Sequence, residues 1–327
     1  MHRHPKTTAV ACVVSALLAI PVAQAAGITE FVAGYSSSGF SYPYPTYPAA
    51  IAKGFNDAAA KVGARTILLD AKGSVQKQAS DIDDLIAQKV DGIAIMPLDS
   101  IIAQTWAERT AAAGIPTVAV ASPIGDPSQR DVKDVYEKLV ALVAQDEISA
   151  GMQAGNIALQ LLPWDREARI AIVEGAAGYA EVRQRTEGFE KALKDAGLNY
   201  TIVAAQPGDW SAEKGEAVCQ NILAANPNVD LFFNQADDMM IGCARAVRSV
   251  GSRARLVGMG GSRLAMAAIK AGKVDGTVCY QPEAIGQLAF NTLYKAATGK
   301  QLHQAEFVSY DTPGVTLANA DQCVGQW

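Results

Sequence analysis

The chain has 327 residues, 50 % of them hydrophobic, with 28 basic against 33 acidic side chains and a formal net charge of −5. That length suits two ordinary domains, and an acidic balance with no basic run excludes the clustered Lys and Arg on which nucleic-acid and membrane-surface binders depend. Of three histidines, His2 and His4 fall at the very start, leaving His303 in a polar stretch that reads as a solvent loop. The common transition-metal sets and histidine-based catalysis are therefore disfavoured, and neither a metal nor a cofactor is expected.

Arg3 and Lys6 precede an apolar run from Ala9 to Val22, and Ala23-Gln24-Ala25 supplies small residues for a signal peptidase. This is a secretion signal, residues 1–25, with cleavage expected after Ala25. The run is shorter than the roughly twenty residues that span a bilayer, so the mature chain is expected to be soluble, with no membrane insertion, in the periplasm. Cys12 leaves with the signal, as do two basic residues, taking the charge to 26 − 33 = −7. Cys219, Cys243, Cys279 and Cys323 remain, an even number in an oxidising compartment. Three pairings are open; Cys219 with Cys243 is favoured by consecutive predicted helices, and buried free thiols weigh equally.

Short β-branched or apolar runs then alternate with amphipathic helical stretches, the pattern of parallel sheets flanked by helices. Strands are expected at Thr29–Gly34, Thr66–Asp70, Gly92–Met96, Pro116–Ala121 and Leu139–Ala144. A second series follows at Arg169–Glu174, Tyr200–Gln206, Asp230–Asn234, Leu256–Met259 and Gly276–Tyr280. Ile82, Leu85 and Ile86 share one face of a helix over Val75–Gln88, and Gly63 and Gly114 end helices. Two sets of five strands imply an α/β chain with two doubly wound parallel-sheet lobes. In such sheets ligands sit beyond the carboxyl ends of strands. The loops there are Tyr35–Tyr47, Pro97–Ser100, Ser122–Asp126, Gly175–Arg183, Pro207–Trp210, Gln235–Asp238, Gly260–Arg263 and Gln281–Pro282. They carry aromatic, hydroxyl and amide groups rather than catalytic sets.

Several motifs then fall in a familiar order. They are Lys53-Gly54-Phe55, Leu68-Leu69-Asp70, Ile95-Met96-Pro97-Leu98-Asp99-Ser100, Arg183-Gln184-Arg185-Thr186-Glu187 before Gly188-Phe189, Gln206-Pro207-Gly208-Asp209-Trp210, Asn226-Pro227-Asn228-Val229-Asp230, Asp237-Asp238-Met239 with Gly242, and Ala268-Ile269-Lys270-Ala271-Gly272-Lys273. Over nearly the whole mature chain the sequence resembles type I periplasmic solute-binding proteins of the ribose- and galactofuranose-binding group. The resemblance implies two lobes joined by a three-segment hinge, residues 26–145 with 282–308 and residues 146–281 with 309–327. It also implies a monomer that closes on a sugar-like ligand and presents it to an ABC transporter permease with its ATPase.

By that resemblance Arg183 is the arginine that donates to sugar hydroxyls and Trp210 the ring that stacks on the sugar; an ion pair to Glu187 and a core packing role are the plain alternatives. Tyr42, Tyr44 and Tyr47 occupy a lengthened loop where the group places stacking aromatics. Ser122, Asn234, Gln235, Asp237, Ser262, Tyr280 and Gln281 complete the expected ligand set, with Asp237 equally readable as a helix N-cap.

Departures matter as much. Ala121-Ser122 stands where the group has Asp-Arg, Ala236 where it has Asn, Gly260 where it has Asp, and Tyr280 where it has Gln. A hydrogen bond to a charged partner contributes roughly 1.5–3 kcal/mol, so three missing partners cost free ribose about 5–9 kcal/mol, against about 8 kcal/mol for micromolar binding. A sugar, polyol or sugar derivative other than free ribose, or a hydroxylated aromatic ligand, is the expectation. A nucleotide-dependent enzyme lacks its Gly-x-Gly-x-x-Gly turn here, and a hydrolase its Gly-x-Ser-x-Gly elbow. A sensor feeding a membrane kinase or chemoreceptor would share the same lobes.

Overall fold

The structure, a computed structural model, describes residues 1–2, 30–39, 46–299 and 305–327. Residues 3–25 of the expected secretion signal, its expected cleavage point, Cys12, Tyr42, Tyr44 and His303 lie outside the described residues. The chain divides into Met1–Glu30 and Phe31–Trp327, and the fold below belongs to the second unit.

The first sheet begins with β1 (Val32–Ser37), β2 (Arg65–Asp70), β3 (Gly92–Ile95), β4 (Thr117–Val120) and β5 (Ala141–Val143), alternating with α1 (Tyr47–Lys61), α2 (Val75–Ala87) and α3 (Ser100–Ala112). The second follows with β6 (Ala168–Glu174), β7 (Tyr200–Pro207), β8 (Leu231–Asn234), β9 (Arg255–Gly260) and β10 (Gly276–Cys279). Around these lie α4 (Glu147–Leu159), α5 (Ala180–Asp195), α6 (Ala212–Ala225), α7 (Asp237–Ser249), α8 (Arg263–Lys270) and α9 (Pro282–Ala297). Among the described residues each sheet gains a sixth strand, β11 (Glu306–Val308) or β12 (Gly314–Thr316), in the orders β11-β5-β4-β3-β1-β2 and β12-β10-β9-β8-β6-β7. The two sheets thus repeat one topology. All pairings are parallel except β12 against β10.

The central strands are buried on both faces, which is why they read as continuous apolar runs rather than alternating ones. Ile51, Phe55, Ile285 and Phe290 pack on one face of the first sheet and Ile82, Leu85, Trp106 and Leu139 on the other. Phe189 and Leu193 cover one face of the second sheet, Ile222, Met239 and Ile269 the other. Helix starts follow capping chemistry: Thr46, Ser74, Asp99, Asp146, Ser211 and Ser262 each accept a backbone N–H of their own first turn, satisfying a donor the helix leaves unpaired. Those N-termini sit at the carboxyl ends of the strands before them.

Two differences from the sequence reading are instructive. β1 runs through Tyr35, Ser36 and Ser37, paired with Leu68, Leu69 and Asp70, because these side chains are wholly buried; the loop begins only at Ser38. The three-residue strands β11 and β12 are too short to show a period.

The chain passes from the first sheet to the second between β5 and α4, returns between β10 and α9, and crosses again between β11 and β12. Beside two of these crossings lies the disulfide Cys279–Cys323, and within the second lobe Cys219–Cys243 joins α6 to α7. Closing segments with separations of 44 and 24 residues, each bridge contributes about 2–4 kcal/mol by restricting the unfolded chain.

Candidate functional site

A cavity of about 350 Å³ lies where the carboxyl ends of both sets of strands face each other. From the first lobe it takes Ser38, Tyr47, Met96 and Ser122; from the second Tyr179, Glu181, Arg185, Trp210, Asp237 and Tyr280; from the crossings and the last residues Gln145, Glu147 and Trp327.

At its centre is a charge pair. Arg185 donates through Nε and Nη2 to the two oxygens of Glu147, at 2.8 and 2.7 Å, and through Nη1 to the Gln235 carbonyl at 2.6 Å. The Tyr280 hydroxyl donates to Glu147 Oε2 at 2.6 Å. The guanidinium carbon lies 5.4 Å from the ring centres of both Trp210 and Tyr280, cation–π contacts with both rings. Arg185 and Glu147 are 8 % and 6 % exposed, so the charges are held by one another rather than by water. Burial works against the Arg185 charge, but Glu147, Tyr280 and Glu181 together outweigh this and hold the guanidinium well above its ordinary pKa.

Close helix packing makes that pair possible. A Cβ on Gly188 of α5 would lie 2.0 Å from the Ile148 carbonyl of α4, and one on Gly151 would lie 2.4 Å from the Arg185 carbonyl. With glycine at both points the helices approach closely enough for the first residue of α4 to reach the second turn of α5. Trp210 is placed similarly: its backbone is left-handed, φ 60°, and its ring lies where any Cβ on Gly175 would stand, 1.8 Å from Cη2.

Around the pair, Gln145 Nε2 donates to the Tyr47 hydroxyl at 2.7 Å, whose pKa burial pushes well up. Asp237 accepts from the Ser262 N–H at 2.7 Å and the Thr277 hydroxyl at 2.6 Å; burial nevertheless raises its pKa to about 6. Glu181 accepts from the Ser122 hydroxyl of the opposite lobe at 3.1 Å, and burial, opposed by Arg185, raises its pKa to about 7. Trp327 sits edge-on to Tyr47 at 5.5 Å. Its carbonyl accepts from the Arg263 N–H, while the Gln326 side chain accepts from the Glu283 N–H, both at 2.9 Å. The bridge Cys279–Cys323 anchors this segment four residues away.

Of the residues expected from the sequence, Tyr47, Ser122, Trp210, Asp237 and Tyr280 line the cavity. Arg183 does not: it is exposed, donates to the Pro127 carbonyl at 3.0 Å, and borders a separate open depression along α5. Two residues further along the helix, a turn of about 200°, Arg185 points into the cleft in its place. Asn234 and Gln235 are fully buried behind the wall. Asn234 Nδ2 bonds the Phe232 and Val257 carbonyls, and Gln235 spends its amide on Gly175, Val182 and Thr186. Ser262 caps α8, and Gln281 is exposed, its N–H donating to the Tyr310 hydroxyl. Glu147, Glu181, Gln145 and Trp327 were not anticipated. Glu147 and Glu181 each lie in the first turn of a helix that starts at a strand's carboxyl end, the signal that could have found them. Ala121, Ala236 and Gly260 line the wall as anticipated, without polar side chains.

Two α/β lobes joined by three crossings, with an enclosed and mixed aromatic–polar cleft between facing strand ends, define a two-lobed receptor for a small molecule. The chain belongs to the periplasmic binding protein domain family, whose model matches residues 38–301. It is 33 % identical over 276 residues to the ribose import binding protein RbsB of Bacillus subtilis, covering 84 % of each chain. It is 29 % identical over 253 residues to the D-allose-binding periplasmic protein of Escherichia coli, covering 75 % of this chain and 78 % of that one. A solved solute-binding protein of an ABC transporter from Actinobacillus succinogenes, with bound D-allose, superposes with a TM-score of 0.79 at 25 % identity, covering 90 % of this chain and all of that one.

Removing one member of the buried pair strands the other. Arg185→Ala is expected to cost about 3–5 kcal/mol of stability, measured by urea denaturation, and Arg183→Ala less than about 0.5 kcal/mol. Arg185→Met combined with Glu147→Leu should recover most of the loss; equal losses in the Arg183 and Arg185 variants would contradict the assignment.

Glu181 also sets a pH dependence. Its folded pKa lies above the ordinary carboxylate range, so between about pH 4.5 and 7 the folded chain binds more protons than the unfolded chain, and stability falls as pH rises. The ligand-free melting temperature should therefore drop from about pH 5 to 7.5, and Glu181→Gln should flatten part of that drop; an identical slope in the variant would count against it.

Proposed function

We propose that the chain is the substrate-binding component of an ABC importer, capturing a sugar, polyol or sugar derivative between two closing lobes and handing it unchanged to a permease and its ATPase. The observation that carries this reading is the cleft itself: aromatic rings for apolar ring faces, and charged and amide groups for hydroxyls, contributed by both lobes to one enclosed cavity. Such a site is assembled only when the lobes approach, so ligand binding and closure are one event.

The moving bodies in this proposal are residues 26–145 with 282–308 and residues 146–281 with 309–327, acting as a monomer. Residues 1–25 direct export and are removed after Ala25, placing the mature chain in the periplasm. No cofactor and no catalytic residue is assigned. Free ribose is disfavoured as the ligand, because Ala121, Ala236 and Gly260 present no hydrogen-bonding side chain to the cavity. The similarity to RbsB supports the sugar class, and these positions argue for a different member of it.

Equilibrium dialysis of purified chain against sugars, polyols and hydroxylated aromatics, with the bound fraction examined by NMR, tests the reading. One equivalent should be retained per chain and recovered intact, and Trp210→Ala should weaken retention at least tenfold. Product in the dialysate, or an unchanged affinity in the Trp210 variant, would overturn it.

A further inference from the structure

The cleft holds four carboxylates, Glu147, Glu181, Asp237 and Asp238, and among the described residues lining it Arg185 is the one cation. Arg185 is not available to offset the excess. It makes a bidentate pair with Glu147 and gives its third engaged nitrogen to a backbone carbonyl. Asp237 and Asp238 stand in the first turn of α7, where the helix N-terminus favours negative charge, and both oxygens of Asp237 already accept hydrogen bonds. Glu181 likewise stands in the first turn of a helix, α5; its carboxylate accepts from the neutral Ser122 hydroxyl and from its own backbone N–H, and the cation acting on it is the already paired Arg185.

A second observation points the same way. Gln145 is 2 % exposed and lines the cavity, yet its Oε1 accepts no hydrogen bond. A buried acceptor without a donor costs about 1–3 kcal/mol, so the closed cleft asks its guest for donors. Hydroxyl groups supply donors but no positive charge to match the acidic excess of the cleft, whereas a cation beside Glu181 favours the ionised form that burial opposes. An ammonium supplies three donors and the opposite charge together, and burying a charge is tolerable when it is paired. A carboxylate-bearing guest meets repulsion instead.

We propose that the preferred ligand of this cleft is an amine-bearing sugar or polyol whose ammonium lies against Glu181. The proposal rests on the sugar-receptor reading above and narrows it. Selectivity then comes from charge as well as shape: neutral sugars fit the aromatic walls, while the acidic side of the cleft discriminates for the cation.

The test uses matched sets measured by thermal shift and isothermal calorimetry at low salt. These are D-galactose, D-galactosamine and D-galacturonate; D-glucose, D-glucosamine and D-glucuronate; and D-glucitol with 1-amino-1-deoxy-D-glucitol. In at least one set the amine should bind at least tenfold tighter than its neutral partner, with no binding by the acid. Glu181→Gln, which keeps size and the Ser122 contact, should reduce that preference to threefold or less, and Glu181→Ala should do the same. Equal or tighter binding of the neutral member, or a preference that survives in both variants, overturns the amine assignment and leaves the sugar reading standing. If no member of any set binds, both fall together.

Discussion

The site is organised by one buried charge pair. Arg185 and Glu147 come from different helices, lie almost out of reach of water, and are closed in by the rings of Trp210 and Tyr280. Desolvating two ions is costly, and replacing such a pair by apolar residues often leaves a protein no less stable. What the pair does here is positional. It ties α4 to α5 and, through Tyr280, both to the second crossing, while the Gln235 carbonyl fixes Arg185 against the end of β8. Trp210, Tyr280 and the end of β8 are all referred to this point. The glycines of the α4–α5 contact permit it, and Gly175 gives Trp210 the room to cover it.

The two lobes repeat one sheet order, and each places its helix N-termini at the same end of its sheet. Joining them through three crossings brings those ends face to face. Contacts then bridge the gap: Ser122 to Glu181, and Arg183 to the Pro127 carbonyl. Beside these polar contacts the ring of Tyr47 meets Tyr280 and Trp327 next to the crossings. The segment ending at Trp327 is fixed to the second lobe by Cys279–Cys323 and the Arg263 N–H, and meets α9 and Tyr47 of the first. It thereby adds an aromatic wall next to the crossings themselves.

Much of this architecture was legible in the sequence, because strands buried on both faces and amphipathic helices leave strong local patterns. The ten central strands lie close to where apolar runs place them; β1 shifts because Tyr35, Ser36 and Ser37, polar in type, are buried by pairing with β2. The short edge strands β11 and β12 depend on partners far along the chain and have no local signature. Tyr47, Trp210 and Tyr280, and the positions without polar side chains, Ala121, Ala236 and Gly260, were legible at the cavity wall, whereas Tyr179 and Trp327 were not. The site was not legible in its charges. Two arginines separated by one residue look alike in a string, and only the phase of α5 against α4 sends Arg185 inward and Arg183 out. Asn234 ends its strand and Gln235 opens the loop as expected, but the Asn234 amide N–H groups turn to backbone carbonyls and Gln235 bonds the backbone and Thr186 behind the wall, which depends on packing that no local pattern reveals.

Closure of the two lobes on a small guest is the claim on which the functional account stands. Small-angle X-ray scattering of the processed chain, alone and saturated with a sugar-like compound that it binds, measures it directly. A smaller radius of gyration in the saturated state, with the change lost in Arg185→Met combined with Glu147→Leu, is the predicted result. An unchanged radius at full occupancy would contradict the account.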